Sequence, residues 1–200
     1  AKKNITMSDY QTIRHVEEEI EMLKLLKDKS PYIINLYDTE IISKNEVNLY
    51  LQLINGYDLK EYYRLGLMEN LNIKMFITGL VNGLKIIHEN NIIHSDIKPA
   101  NILINTNVDP YPIPVYVDFG LAIIVTNAAI NGFNGLRKGG TLGFFLEREE
   151  DHCSVRSDIF ALATTLTRVC KRKDLIKLKI NGYLNNILRD YDIRKNFQEI

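Results

Sequence analysis

Cysteine is scarce. Among 200 residues only Cys153 and Cys170 occur, and they fit neither a disulfide framework nor a paired metal-ligand spacing. Charge of one sign is lacking too, because lysine plus arginine (25) equals aspartate plus glutamate (25). No overall field therefore draws the chain to nucleic acid or to an anionic membrane, and any charged ligand has to be met locally. There is no signal peptide and no apolar run approaching ~18 residues. These absences exclude a secreted disulfide scaffold and a membrane-spanning helix, and they point to a reducing, intracellular setting, cytoplasmic or nuclear. Internal repeats and low-complexity linkers are missing as well. What is present is 46% hydrophobic content, enough for one core or for two small lobes sharing an interface. The sequence begins at Ala1 without an initiator methionine and stops at Ile200 in what reads as the start of a helix, so an excerpt of a longer chain is expected.

Ser8 followed by Gln11 is a capping-box signature, and Ile13, Val16, Ile20, Leu23 and Leu26 recur behind it at spacings of three and four. This predicts an amphipathic helix of roughly five turns. Two apolar, β-prone runs follow, Tyr32 to Tyr37 and Val47 to Ile54, separated by the polar stretch Ser43 to Glu46, and they read as an antiparallel pair. From Asn72 to about His88, apolar residues at Ile73, Phe76, Ile77, Leu80, Val81, Leu84 and Ile87 predict a second long helix. Ser157 to Lys171 reads as a third, apolar nearly all round and therefore destined for a core. Between those two helices lie short strand-like pieces, Asn101 to Ile104 and Val115 to Val117, and a segment rich in glycine and asparagine. Function usually sits on such irregular loops.

The most informative stretch runs His94-Ser95-Asp96-Ile97-Lys98-Pro99-Ala100-Asn101, with Val117-Asp118-Phe119-Gly120 behind it. The first run resembles the His-x-Asp-x-Lys-x-x-Asn catalytic loop of the eukaryotic-type protein kinase family, serine/threonine class, and the second its Asp-Phe-Gly metal-binding motif. Each alone arises by chance; both in order, each flanked by strand-like apolar residues, do not. Phosphoryl transfer asks a protein mainly to hold two reactants in line and to neutralise charge on the phosphate oxygens. The resemblance implies that Asp96 accepts the proton of the substrate hydroxyl and that Lys98 offsets charge on the moving phosphate. Asn101 and Asp118 supply oxygen ligands, the chemistry magnesium prefers. ATP and Mg2+ are the expected cofactors, and a protein serine or threonine the expected acceptor. No nucleic acid or membrane partner is expected; a regulatory protein is.

The resemblance extends to both sides. Glu19, in Glu19-Ile20-Glu21-Met22-Leu23-Lys24, matches the acid of the regulatory helix, and Lys3 in Ala1-Lys2-Lys3 the strand lysine it pairs with, the lysine that meets the nucleotide's α and β phosphates. A solvated acidic face is the competing reading, since Glu17, Glu18, Glu19 and Glu21 crowd this helix. Leu49 to Leu59 is similar to the hinge between lobes. There Leu51 is the gatekeeper, the main chain of Gln52 and Ile54 is expected to hydrogen-bond adenine, and Asp58 to reach a ribose hydroxyl, with Leu103 also in the nucleotide site. Leu23, Leu36, Phe119 and His94 match the family's regulatory spine, and Asp158 the acid that anchors the catalytic loop from below. Gly140-Thr141-Leu142-Gly143-Phe144 looks like the substrate-docking stretch, where Thr141 with Lys98 favours serine or threonine over tyrosine. Asp190 to Arg194 resembles a late-helix motif in which Arg194 pairs with a buried glutamate.

The pattern also departs from the family. No Gly-x-Gly-x-x-Gly occurs anywhere, the glycines at 132, 135, 139, 140 and 143 having the wrong spacing. Phe145-Leu146-Glu147 replaces Ala-Pro-Glu, so Glu147 and Glu149 compete for Arg194. Ser95 stands in place of the usual arginine, which removes the main partner of a phosphorylated activation loop and points to constitutive or partner-driven activity. The expected architecture is α+β, a two-lobe kinase-like fold over 1–200. A truncated small lobe of a helix plus a short antiparallel sheet, with the hinge, occupies 1–54, and a mainly α-helical large lobe occupies 55–200. Two alternatives stand beside an active kinase. One is a catalytically silent mimic that binds a kinase or its substrate, which the missing glycine loop suits and the retention of Asp96, Lys98, Asn101 and Asp118 opposes. The other is a small-molecule phosphotransferase, which the peptide-docking run opposes.

Overall fold

The computed structural model describes residues 1–7, 10–125, 141, 144 and 153–170, and for 10–12 the backbone alone. The chain opens with β1 (Lys2–Thr6) and the helix α1 (Tyr10–Leu26), followed by β2 (Leu36–Ser43) and β3 (Glu46–Leu51). These strands form one antiparallel sheet in the order β1-β3-β2, with Lys3 opposite Leu49. Val16, Leu23 and Leu26 of α1 and Val47 and Leu49 of β3 enter the same buried cluster. The spacing of three and four on α1 meets the alternation on β3, so each face finds a partner. Ser8 of the predicted capping box lies outside the described residues.

The antiparallel pair exists, but its first strand is not Tyr32 to Tyr37. Ile34 donates its N–H to the Tyr116 carbonyl at 3.0 Å, and Tyr116 returns a bond to the Tyr32 carbonyl at 2.8 Å. This segment ties the first sheet to the rest of the fold. The strand that pairs with β3 starts at Leu36 and continues through Asp38-Thr39-Glu40, with Ile41 81% exposed. Backbone pairing, not side-chain burial, places β2, and apolar alternation cannot report that.

Beyond the hinge come α2 (Leu59–Arg64) and α3 (Ile73–Glu89), the latter capped by Asn72, whose side chain accepts from the Met75 N–H. Periodicity anticipated α3; six residues are too few for α2 to show a period. Two small antiparallel ladders follow. β5 (Ile102–Asn105) pairs with β6 (Ile113–Tyr116), and β4 (Ile92–Ile93) with β7 (Ile123–Ile124). The loop from β4 to β5 and the loop from β6 to β7 are therefore pinned side by side at both ends. The helix α4 (Val155–Val169) starts two residues before its predicted bound, because Ser154 and Ser157 form a reciprocal capping box. It is amphipathic rather than apolar all round, with Arg156, Thr167 and Arg168 exposed.

Gly56 fixes how the hinge segment lies on β5. Its φ is +150°, and a Cβ there would stand 1.9 Å from the Ile104 carbonyl oxygen. Around it the Ile104 N–H bonds to the Tyr57 carbonyl and the Thr106 N–H to that of Asn55, both at 2.8 Å. Gly56→Ala is expected to cost about 2 kcal/mol, read as a fall of about 4–8 °C in Tm. An unchanged Tm would show that this approach is not needed.

Candidate active site

The loop between β4 and β5 carries His94, Asp96, Lys98 and Asn101, and a buried carboxylate from α4 holds its start. Asp158, 1% exposed, accepts the backbone N–H of His94 at 2.8 Å and that of Ser95 at 2.9 Å, with the His88 imidazole 3.0 Å from the same carboxylate. Ser95 is thereby held at φ +67°, a region a non-glycine residue enters only when its surroundings compel it. The anchor expected of Asp158 is present in this geometry. His88 carried no signal in the sequence beyond its place on the last turn of α3.

His94 is fully buried, with its ring 4.9 Å from that of Phe119 and 6.0 Å from that of Tyr116. It is a core histidine between two aromatic rings. Leu23, Leu36 and Phe119, expected with it as a spine, are all buried. Burial, and secondly the Asp158 charge, push the Tyr116 phenol well above its ordinary pKa, so it remains a neutral donor to the Leu80 carbonyl at 3.0 Å.

Asp96 is 7% exposed and has three neighbours. The Lys98 ammonium donates to its Oδ2 at 2.6 Å, the Asn101 amide to the same oxygen at 2.9 Å, and the Thr141 hydroxyl to Oδ1 at 2.8 Å. Lys98 also donates to the Thr141 oxygen at 2.9 Å. Four residues that the sequence singled out thus form one closed polar network, although Thr141 lies 45 residues from Asp96.

The second cluster crosses between the halves of the fold. The Lys3 ammonium donates to Glu19 Oε1 at 2.8 Å and to Asp118 Oδ1 at 3.3 Å. Burial works against the Lys3 charge, but Glu19, by its charge and its hydrogen bond, and then Asp118 outweigh it and raise the Lys3 pKa above the ordinary lysine value. Lys3 therefore stays cationic at neutral pH. Glu19 is buried at 4%, so the solvated-face reading does not hold for this member of the acidic run. Asp118 sits at φ +64° with about half its side chain exposed.

Lys3, Glu19 and Asp118 line a cleft of about 310 Å³ together with Leu51, Gln52, Ile54 and Leu103. The Gln52 N–H is spent on the Asn35 carbonyl at 2.8 Å, which leaves its carbonyl for a ligand. Leu23, expected in the spine, also lines the cleft, as do Ile34 and Val117; those two went unassigned because apolar residues look alike in sequence. Asp58 is not among the lining residues. Its Oδ1 accepts the Glu61 N–H at 2.8 Å and caps α2. Glu147, Glu149, Asp190 and Arg194, and the glycines at 132, 135, 139, 140 and 143, lie outside the described residues.

Among the described residues no group of three or more His, Cys, Asp or Glu side chains forms a metal cage. One exposed carboxylate and one amide fit magnesium, which keeps waters and phosphate oxygens as its remaining ligands. No helix among the described residues is long and apolar enough to cross a membrane.

A family model described as "Protein kinase domain" matches residues 1–198. Similar curated proteins include the MAP kinase kinase kinase wis4 of Schizosaccharomyces pombe, 33% identical over 129 residues, which are 63% of this chain and 9% of that protein. The serine/threonine-protein kinase ATG1c of Arabidopsis thaliana is 38% identical over 103 residues, 51% of this chain and 14% of its own. The serine/threonine-protein kinase ULK1 of Homo sapiens is 34% identical over 127 residues, 60% of this chain and 11% of its own. The matched chain is thus a small part of each of these relatives.

Proposed function

This chain belongs to the protein kinase domain family, and on that premise we propose that it transfers the γ-phosphate of ATP to a serine or threonine hydroxyl of a protein. The observation that carries the reading is the closed network of Asp96, Lys98, Asn101 and Thr141, together with a cleft lined by the charged cluster of Lys3, Glu19 and Asp118.

Adenine is expected among the apolar lining residues Leu51, Ile54 and Leu103, with the carbonyl of Gln52 and the main chain of Ile54 as its hydrogen-bonding partners. Lys3, held by Glu19, meets the α and β phosphates as a fixed cation. Asp118 and Asn101 are the residues that would hold magnesium, which when bound offsets phosphate charge. Asp96 orients the acceptor hydroxyl and takes its proton as the new O–P bond forms and the bond between the β and γ phosphates breaks, releasing ADP. Lys98 lies within reach of the same oxygen and stabilises the transferring group. Because Thr141 closes the network from the acceptor side, a short hydroxyl side chain is the better fit. Ser95 in place of arginine argues for control by a regulatory protein rather than by a phosphorylated loop.

The test is magnesium-dependent ATP binding and transfer to a generic protein substrate, on the longest natural form of the chain and its Asp118→Ala variant. The variant is expected to lose metal-dependent ATP affinity and transfer by a factor on the order of 10² or more. Absence of both in the unmodified protein would overturn the reading in favour of a silent mimic that acts by binding a partner.

A further inference from the structure

A second cavity, of about 450 Å³, opens beside the polar network and is distinct from the nucleotide cleft. Lys98 and Thr141 line it together with Lys60, Tyr63, Ala100 and Phe144. Since Lys98 and Thr141 also bond to Asp96, any polypeptide whose hydroxyl reaches Asp96 has neighbouring residues passing over this cavity. An extended chain advances about 3.3–3.6 Å per residue, so the residues concerned lie within about three of the acceptor.

The charge of the cavity is one-sided. No carboxylate lines it among the described residues, whereas Lys60, Lys98 and Arg168 do. Two of these cations are engaged. Lys98 is paired with Asp96 at 2.6 Å, and the Arg168 guanidinium lies 4.0 Å over the Phe144 ring. Lys60 differs. The acid next to it, Glu61, is gripped by Arg64 through two bonds of 2.7 and 2.5 Å, and Lys60 makes no hydrogen bond or ion pair among the described residues. It stands exposed on the first turn of α2, its ammonium felt by Glu61 only through charge, and it lines the cavity together with Tyr63 and Phe144.

Resting on the phosphate-transfer reading above, we infer that this cavity selects protein substrates carrying an acidic residue within three positions of the acceptor, and that Lys60 is the residue that determines this specificity. An aspartate or glutamate there meets the exposed Lys60 ammonium, while an arginine or lysine meets three lining cations and, among the described residues, no lining carboxylate. Discrimination therefore comes from repulsion as well as attraction.

The experiment measures binding of fluorescent serine peptides by anisotropy, a readout that needs no turnover, and in parallel phosphate transfer to the same peptides. The set places Asp, Ala or Arg at each of the three positions on either side of the serine. At one or more positions the Asp peptide is expected to bind about three- to fivefold tighter than the Ala peptide, the difference shrinking as salt is raised. In Lys60→Glu the order should invert, with Arg favoured at the same position, and Lys60→Gln should be indifferent. If Asp and Arg peptides bind equally at every position, or if Lys60→Glu keeps the preference for acid, the inference is wrong whatever the transfer assay reads. If the preference is present and inverts but no peptide is phosphorylated, the cavity assignment stands and the catalytic reading falls.

Discussion

Asp96→Asn, which keeps the size of the side chain but removes its capacity to take a proton, is expected to lower kcat by a factor on the order of 10² to 10⁴. The amide oxygen can still accept from Asn101 and Lys98 where Oδ2 stood, while the amide nitrogen in place of Oδ1 can donate to the Thr141 hydroxyl, so the loop should stay in place and ATP should bind with little change. Asp96→Ala goes further. It leaves the Lys98 ammonium, about a quarter exposed, without its carboxylate, and it removes the acceptor for two hydrogen bonds. Loss of transfer comparable to that of the asparagine variant, joined by a lower Tm, is the expected outcome. The pair of variants separates chemistry from positioning: an Asp96→Asn protein retaining more than about a tenth of kcat would show that Asp96 orients the loop and does not serve as base.

The second large effect is at Asp158, which touches no substrate in the proposed reaction. Asp158→Ala removes the acceptor for two buried backbone N–H groups and leaves the His88 imidazole facing a hole. A buried donor left unsatisfied costs about 1–3 kcal/mol, so a loss on the order of 3 kcal/mol is expected, read as a fall of about 6–12 °C in Tm. The same change frees Ser95 from its positive φ, and the adjoining Asp96 loses its fixed place. The kcat of whatever fraction remains folded should therefore drop as well. Asp158→Asn keeps one carbonyl oxygen and should recover part of both quantities. A folded Asp158→Ala protein with ordinary kcat and Tm would show that the loop holds itself without the clamp.

Much of the site was legible because its chemistry is local in sequence. Asp96, Lys98 and Asn101 lie within six residues of one another, and Asp118-Phe119-Gly120 are contiguous, so residue type and spacing alone carried them. Thr141, Asp158 and Lys3 became legible only through the family resemblance, since nothing within a window around any of them signals its partner. Asp58 shows a role that the resemblance did not supply. An aspartate ahead of a short helical turn has a capping role open to it, and its Oδ1 takes that role on α2. His88 and Lys60 left no trace in the pattern. One is a polar group at a helix end and the other a surface lysine, and both descriptions fit many residues without function.

By itself the sequence determined the two long helices α1 and α3, through apolar spacing that any amphipathic helix must show, and the polar groups of the catalytic loop, through their fixed separations. Only the tertiary structure decided the register of β2, set by backbone pairing with β3; the meeting of Lys3 with Asp118 across 115 residues; the clamp of Asp158 on the 94–95 backbone; and the cavity that Lys60 lines. The reason is physical. Local periodicity reflects which face of one element is buried, whereas these four features depend on how distant elements close upon one another, and many sequences with the same pattern would close differently.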